Sequence, residues 1–498
     1  MANKISLKDL IVILPGILGS VLEKDGKDFW AVSGQAIWQI LSQSEQTINN
    51  LKLTEDDPEL DDLGDGIKAT RLIENVNIIP GLVKIDGYTQ TTKLIADNFT
   101  NVTKGNIYED SEDKAANLYH FPYDWRRDNR ASARILQKLI NKRLKCWREH
   151  SNNPNAKVII LAHSMGGLVS RYYLEVLGGW EDCKALFTFG TPYRGSVNAI
   201  NFLANGYKKL FLDLTEVMRS LTSIYQLLPI YQVLKIDDNF HRIAETPVNL
   251  PNINQAKVVD ALKFHREIEA AVKTNQKDEQ YYLFSTCPIV GVQQPTLQSA
   301  ELKDGEIIAS EALPKIMESR YDLADGDGTV PHVSAIPSEF SNTDILEFGN
   351  FIGESHGALQ NQKHILINLL RKLQIVQSET DLQDIRGVMR GSEQIKGTKG
   401  IGLAIDDLYL LDENISMKAK VSPGVSFNSL NAEITCISDK HHTQFLTFNN
   451  QGEQWALETD HLAPGLYQIK VQTDNTSEDA PTPVHNFFEV ANITQGEV

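Results

Sequence analysis

The chain has 498 residues, 41% of them hydrophobic and 23% charged, with a formal net charge of -17. This length suits one large domain with a full core plus a smaller one. The acidic balance excludes a nucleic-acid partner, because phosphate binding is driven by Lys and Arg, and it argues against purely electrostatic docking on anionic lipid. Beyond residue 390 there are six Lys, no Arg and fifteen Asp plus Glu, so about half of the excess negative charge sits in the last fifth of the chain and marks a separate unit. Cys146, Cys183, Cys287 and Cys436 are far apart with no C-x-x-C, as in a reduced, intracellular protein. The first ten residues have no signal layout, and no apolar run approaches the roughly 18 residues of a membrane span. The expected location is cytoplasmic, with leaderless secretion left open.

Residues 11–14, Ile-Val-Ile-Leu, form a buried-strand pattern that ends in Pro15-Gly16-Ile17-Leu18-Gly19-Ser20. A loop in this place supplies one of the two oxyanion N–H groups in serine acyl hydrolases, which makes Ile17 a candidate donor. Residues 21–90 are irregular, with Phe29, Trp30, Ile37, Trp38, Ile40 and Leu41 concentrated and an acidic stretch at 55–65. They are expected as an insertion over the site, packed against the body or touching lipid.

Residues 117–121 are a further strand candidate, followed by Pro122-Tyr123-Asp124-Trp125-Arg126-Arg127, where Asp124 and Arg126 read as a structural ion pair. Helical spacing of Ile135, Leu136, Leu139, Ile140 and Leu144 predicts a helix over 131–146. Residues 157–162 are a continuous apolar strand running into Ala162-His163-Ser164-Met165-Gly166-Gly167. This is the G-x-S-x-G nucleophile elbow with Ala162 in place of the first Gly: a sharp strand-to-helix turn that exposes the serine. Ser164 is the candidate nucleophile and the Met165 N–H the second oxyanion donor. A helix over 165–177 follows, stopped by Gly178-Gly179, then a strand over 184–189 leading into Gly190-Thr191-Pro192-Tyr193-Arg194-Gly195. Strand–helix alternation with short loops predicts a mostly parallel, doubly wound α/β sheet.

The stretch 210–234 is the most apolar. Leu210, Leu214, Val217, Met218, Leu221, Tyr225 and Leu228 follow helical spacing up to Pro229, so a helix is expected there, either in the core or lining an acyl-chain tunnel. On the second reading Met218, Leu221 and Tyr225, with Trp30, contact substrate. Residues 235–278 read as polar and variable, and 281–290 as a strand.

Asp325-Gly326-Asp327-Gly328-Thr329-Val330 is a Gly-rich loop carrying the candidate triad acid, and its spacing favours Asp327 over Asp325. The rival is a calcium loop. EF-hand spacing fails, because counting from Asp325 places Ile336 where the Glu is required, and no metal or cofactor is expected. Residues 345–348 are expected as a short strand before Gly353-Glu354-Ser355-His356-Gly357, and His356 sits where the triad base belongs. The order Ser164, Asp327, His356 is that of α/β hydrolases. His120, His163, His265 and His364 lack such placement and read as structural or surface residues. After a linker at 386–402, the period changes to two, and short strands between turn residues predict an Ig-like antiparallel β-sandwich over 403–498. It carries no catalytic cluster, and its protein partner is not identified.

Taken together, Pro15-Gly16-Ile17-Leu18-Gly19-Ser20-Val21-Leu22-Glu23, Pro122-Tyr123-Asp124-Trp125-Arg126, the elbow, Gly190-Thr191-Pro192-Tyr193-Arg194-Gly195 and the Asp327 loop resemble the lecithin:cholesterol acyltransferase family over roughly residues 10–375. That family also holds phospholipid:diacylglycerol acyltransferases and lysosomal phospholipases. The resemblance implies an α/β-hydrolase domain at 1–385 with cap insertions at about 21–90 and 200–280. It implies Ser164 as nucleophile, Asp327 as acid, His356 as base and the Ile17 and Met165 N–H groups as the oxyanion hole. The expected activity is acyl transfer or acyl hydrolysis on lipid esters, with transient membrane-surface contact. The alternatives are an esterase or thioesterase on soluble esters and a non-catalytic hydrolase-fold binding protein. The acidic β segment after residue 400 is not part of the family core.

Overall fold

The computed structural model describes residues 4–30, 45–209, 212–320, 323–341, 344–345, 349–378, 399–437, 439, 442–477 and 480–492. Seven strands build the central sheet: β1 (Leu10–Leu14), β2 (Lys104–Asn106), β3 (Leu118–His120), β4 (Val158–His163), β5 (Cys183–Phe189), β6 (Ser285–Gly291) and β7 (Asn350–Ile352). They lie in the order β7-β6-β5-β4-β1-β3-β2, all parallel. Strands β1 and β4 are apolar at every position up to His163, because both faces are covered. Leu10, Val12, Leu14, Val158, Ile160 and Ala162 point into one core. Ile11, Ile13, Ile159, Leu161, Phe187 and Phe189 point into the other.

Helices fill both faces: α1 (Thr89–Asn98), α2 (Asn129–His150), α3 (Met165–Arg171), α4 (Val197–Asn205), α5 (Gln255–Asn275) and α6 (Lys363–Ser378). Helix α2 starts where the Asp128 carboxylate caps the Arg130 N–H, and it buries Leu136, Ile140 and Leu144 as their spacing predicts. Helix α3 continues as a π-helical turn, Tyr172–Val176, and stops at Gly178 in the left-handed region.

Several expectations need correction. The stretch 210–234 is not one helix; residues 210–211 lie outside the described set. Two short helices, Thr215–Ser220 and Thr222–Gln226, part at the extended Leu221. The break is stabilised from outside, because Lys257 Nζ donates to the Ser220 carbonyl at 2.6 Å and Ser220 Oγ accepts from Leu53 N at 3.1 Å. The polar segment 235–278 contains the long helix α5, whose buried face is Val258, Ala261, Phe264, His265, Ile268 and Val272. Residues 279–283 form a 3-10 turn before β6 begins at Ser285. Ile345 is helical, residues 346–348 lie outside the described set, and the edge strand is instead β7. Ile37, Trp38, Ile40 and Leu41, and most of the expected linker, also lie outside it.

After residue 400 the chain forms two further sheets. One holds β8 (Ile401–Ile405), β10 (Ile415–Val421), β13 (Asn449–Asn450) and β14 (Trp455–Thr459), all antiparallel. The other holds β9 (Leu408–Leu410), β11 (Leu430–Cys436), β12 (Thr443–Thr447), β15 (Gly465–Thr473) and β16 (Val484–Ala491). It is antiparallel except where β9 lies parallel to β16. Strand β8 begins before the expected boundary at 403. Leu403, Met417 and Leu457 from the first sheet share a core with Ile434, Ile469 and Phe488 from the second. The architecture is therefore mixed α/β around a parallel sheet, with C-terminal antiparallel sheets.

Candidate active site

Ser164 sits between β4 and α3 with φ of 51° and ψ of -125°, a strained conformation for a residue with a side chain. The turn is held by Ser164 N donating to Phe189 O (2.9 Å), and by Gly167 N and Thr191 Oγ1 both donating to Ser164 O (2.9 Å each). Its tightness explains the glycine after Met165: a Cβ on Gly166 would lie 2.4 Å from the Pro15 carbonyl oxygen.

Ser164 Oγ lies 3.0 Å from His356 Nε2, and His356 Nδ1 lies 2.7 Å from Asp327 Oδ2. Asp327 Oδ1 accepts from Thr329 N (3.0 Å) and Val330 N (2.7 Å), and the His356 main-chain N–H donates to Asp327 O at 2.8 Å. Asp327 is thus fixed by its own loop and by His356. Gly190, with φ of 58°, leaves room for the pair, since a Cβ there would lie 2.7 Å from Asp327 Oδ2 and 2.9 Å from His356 Nδ1. His356 Nδ1 bonds Asp327 and not Asp325. The Asp325 carboxyl is pushed up to about 7 by burial, and its Oδ1 has no partner.

Ile17 lies beside Ser164 at the mouth of the site, and Met165 is the first residue of α3. Neither main-chain N–H has a hydrogen-bond partner among the described residues, so both are available to a ligand oxygen. An apolar pocket of about 60 Å³ opens at Ser164, lined by Ile17, Leu18, Leu82, Ala199, Phe202, Met218, Ile224, Leu227 and Val330. A wider cavity of about 500 Å³ adjoins Asp327 and His356, with residues 403–407, Ser416, Lys418 and Asn486 on its far side. Lys84 lies on both; it pairs with Asp407 and donates to Asn486 Oδ1 at 2.8 Å.

Of the four residues expected at the substrate, only Met218 lines this pocket. Trp30 packs on Trp125 with ring centroids 5.1 Å apart and donates to Leu18 O at 3.2 Å, so it supports the Leu18 loop from behind. Leu221 is buried at the helix break. Tyr225 faces α5, with its hydroxyl accepting from Asn254 N and Lys257 over its ring.

His163, expected only as structural or surface, is buried next to Ser164 with its ring packed on His356. Its Nε2 lies 3.1 Å from His356 O, and its Nδ1 lies 3.0 Å from the Tyr88 hydroxyl. A carbonyl only accepts, so Nε2 carries the hydrogen and Nδ1 accepts from Tyr88. Tyr88 in turn accepts from Gly16 N at 2.9 Å. Burial, and then the neighbouring His356, hold His163 neutral well below the usual histidine range, which keeps this tautomer. Position 163 adjoins the serine in the sequence, but nothing in the pattern marks Tyr88. Among the described residues, no group of three or more His, Cys, Asp or Glu is placed to hold a metal ion. No helix there is long and apolar enough to cross a membrane, and all four cysteines are buried with no disulfide joining them.

The family model described as lecithin:cholesterol acyltransferase matches residues 84–304. That window includes Ser164 and Met165 but not Ile17, Asp327 or His356. The lysosomal phospholipase A and acyltransferase of Homo sapiens is 26% identical over 226 residues, covering 43% of this chain and 51% of that protein. The Rattus norvegicus protein of the same description is 29% identical over 119 residues, covering 22% and 27%. The chain spans about half the length, or less, of the curated relatives it matches. The resemblance read from the motifs is thus borne out within this window.

Proposed function

We propose that this protein is a serine-dependent acyl-ester transferase or hydrolase of α/β-hydrolase fold, acting on lipid acyl esters. The observation that carries this reading is the line of atoms from Ser164 Oγ through His356 to Asp327, with contacts of 3.0 and 2.7 Å. The likeness to the lecithin:cholesterol acyltransferase family and to a phospholipase and acyltransferase supports the lipid substrate.

In this mechanism His356 Nε2 takes the Ser164 proton as Oγ attacks the ester carbonyl, and Asp327 steadies the imidazolium. The Ile17 and Met165 N–H groups stabilise the oxyanion, each worth ~3–4 kcal/mol by the usual cost of losing one donor. Collapse of the intermediate expels the alcohol, which takes the proton from His356, and leaves an acyl-Ser164. Water or a second alcohol, deprotonated by His356, then releases the acyl group. The small apolar pocket receives the acyl chain beyond the carbonyl, and transient contact with a membrane surface delivers the substrate.

A fluorophosphonate probe tests the nucleophile: Ser164→Ala loses all labelling, and persistent labelling would mean another serine reacts. Turnover of long-chain phospholipid or acylglycerol vesicles should exceed that of acetyl esters. Equal or faster acetyl-ester turnover would sink the lipid substrate. Product profiles with and without an added alcohol separate transfer from hydrolysis.

A further inference from the structure

The C-terminal strands hold both loops that carry the partners of Ser164. Glu354 lies two residues before His356 and is fully buried. Its Oε1 accepts from Ser355 N (2.9 Å) and from His485 N (2.8 Å), and its Oε2 lies 2.8 Å from His485 Nδ1. The Ser355 hydroxyl donates to His485 O. His485 is on β16, fixed by pairing with β15 through Lys470. Two residues further along β16, Phe487 buries against Ala358, so the His356 loop is gripped on both sides of the histidine.

The acid loop is held in the same way. Gln294 is buried, and its main-chain N–H donates to Gly326 O at 2.9 Å, next to Asp327. Its side chain spans to β8, with Nε2 donating to Ile401 O (2.9 Å) and Oε1 accepting from Leu403 N (3.1 Å). A buried carboxylate and a buried amide are costly unless every polar atom is satisfied. An appended module could dock through apolar contacts alone. These contacts are directional, and they end beside the two residues whose geometry the chemistry depends on.

We infer that the C-terminal β strands are a built-in positioning element of the active site, with Glu354 setting the place of His356 and Gln294 that of Asp327. The inference rests on the reading of Ser164, His356 and Asp327 as the reacting set. A displacement of about 1 Å at such a site costs on the order of a hundredfold in rate.

The test uses the full chain and two readouts: the rate of fluorophosphonate labelling of Ser164, and kcat and KM on a water-soluble ester, each beside a thermal melt. Glu354→Ala, His485→Ala and Gln294→Ala should label at least roughly tenfold more slowly and lose kcat, with KM within about twofold. Glu354→Gln keeps an oxygen for the two main-chain N–H groups and should recover most of the rate. Ile434→Ala, in the C-terminal core away from both contacts, should lower the melting temperature and leave the labelling rate unchanged. Should Glu354→Ala fail to fold, His485→Ala and Gln294→Ala carry the test. If these two fold and label at the wild-type rate, the inference is overturned while the Ser164 reading stands. Absence of labelling in the wild type overturns both.

Discussion

His163 Nε2 donates to the main-chain oxygen of His356 at 3.1 Å, so the residue before the candidate nucleophile supports the backbone of the candidate base. Tyr88 extends the chain of bonds to Gly16, next to Ile17. Removing the hydroxyl in Tyr88→Phe strands the Gly16 N–H and His163 Nδ1 in the interior. The expected cost is about 1–3 kcal/mol of stability. A roughly tenfold loss of kcat should follow, since the loops carrying Ile17 and His356 lose a shared tether. Thermal melts and steady-state kinetics on one ester check this; a stability loss with unchanged kcat would confine Tyr88 to the fold.

Asp327 and Asp325 lie two residues apart and are expected to behave in opposite ways. Asp327→Asn should leave the protein folded and lower kcat by about 10⁴, as loss of the acid does in serine triads. Asp325→Asn should leave kcat nearly unchanged and alter the pH dependence of stability instead. The folded pKa of Asp325 is raised from 3.8 to about 7, so the native state keeps a proton that the unfolded chain releases. Its contribution is present at low pH and is lost as pH rises from about 4 through 7. The Asn variant should therefore gain stability over wild type at pH 8 and not at pH 4, as urea unfolding at both values would establish.

The centre of the sheet was legible because β1 and β4 are continuous apolar runs, and the elbow because Ser164 and Gly166 mark a sharp strand-to-helix turn. The roles of Asp124 and the acidic 55–65 stretch were only half legible. Arg126 donates to Asp124 and Asp65, and Arg127 to the carbonyls of Asp57, Leu60 and Asp61. What reads as a solvated acidic loop is thus tied to two buried arginines by contacts that no local pattern encodes. Helix α5 escaped notice because its charged face outweighs a buried stripe that is nonetheless spaced i, i+3, i+4. The helix break at Leu221 and the Glu354–His485 pair depend on partners 37 and 131 residues away, so no window of sequence holds both ends.

The pocket at Ser164 gives a prediction on chain length. Ala199 lines it from α4, and Ala199→Leu would fill much of its roughly 60 Å³. Overpacking should cost about 1–3 kcal/mol in stability, so rates must be measured well below the melting temperature. Long-chain turnover should fall more than acetyl-ester turnover, which needs no room beyond the carbonyl. Equal losses on both substrates would mean that the chain leaves Ser164 by another path.

Acid should destabilise the protein through its buried histidines. Burial lowers His265 and His120 from 6.5 to about 4 and holds His163 well below its usual range. Each stays neutral in the folded chain while the unfolded chain binds a proton below about pH 6.5. Stability from these groups is therefore full above pH 6.5 and declines as pH falls toward 4, by about 1.4 kcal/mol per unit of pH for each group. His265→Gln tests one of them, because Gln can still donate to the Gln226 carbonyl that His265 Nε2 contacts at 2.8 Å. Between pH 7 and pH 5, chemical unfolding of the variant should lose less stability than wild type, with a slope smaller by up to one proton. Parallel slopes would mean that His265 takes up its proton without unfolding.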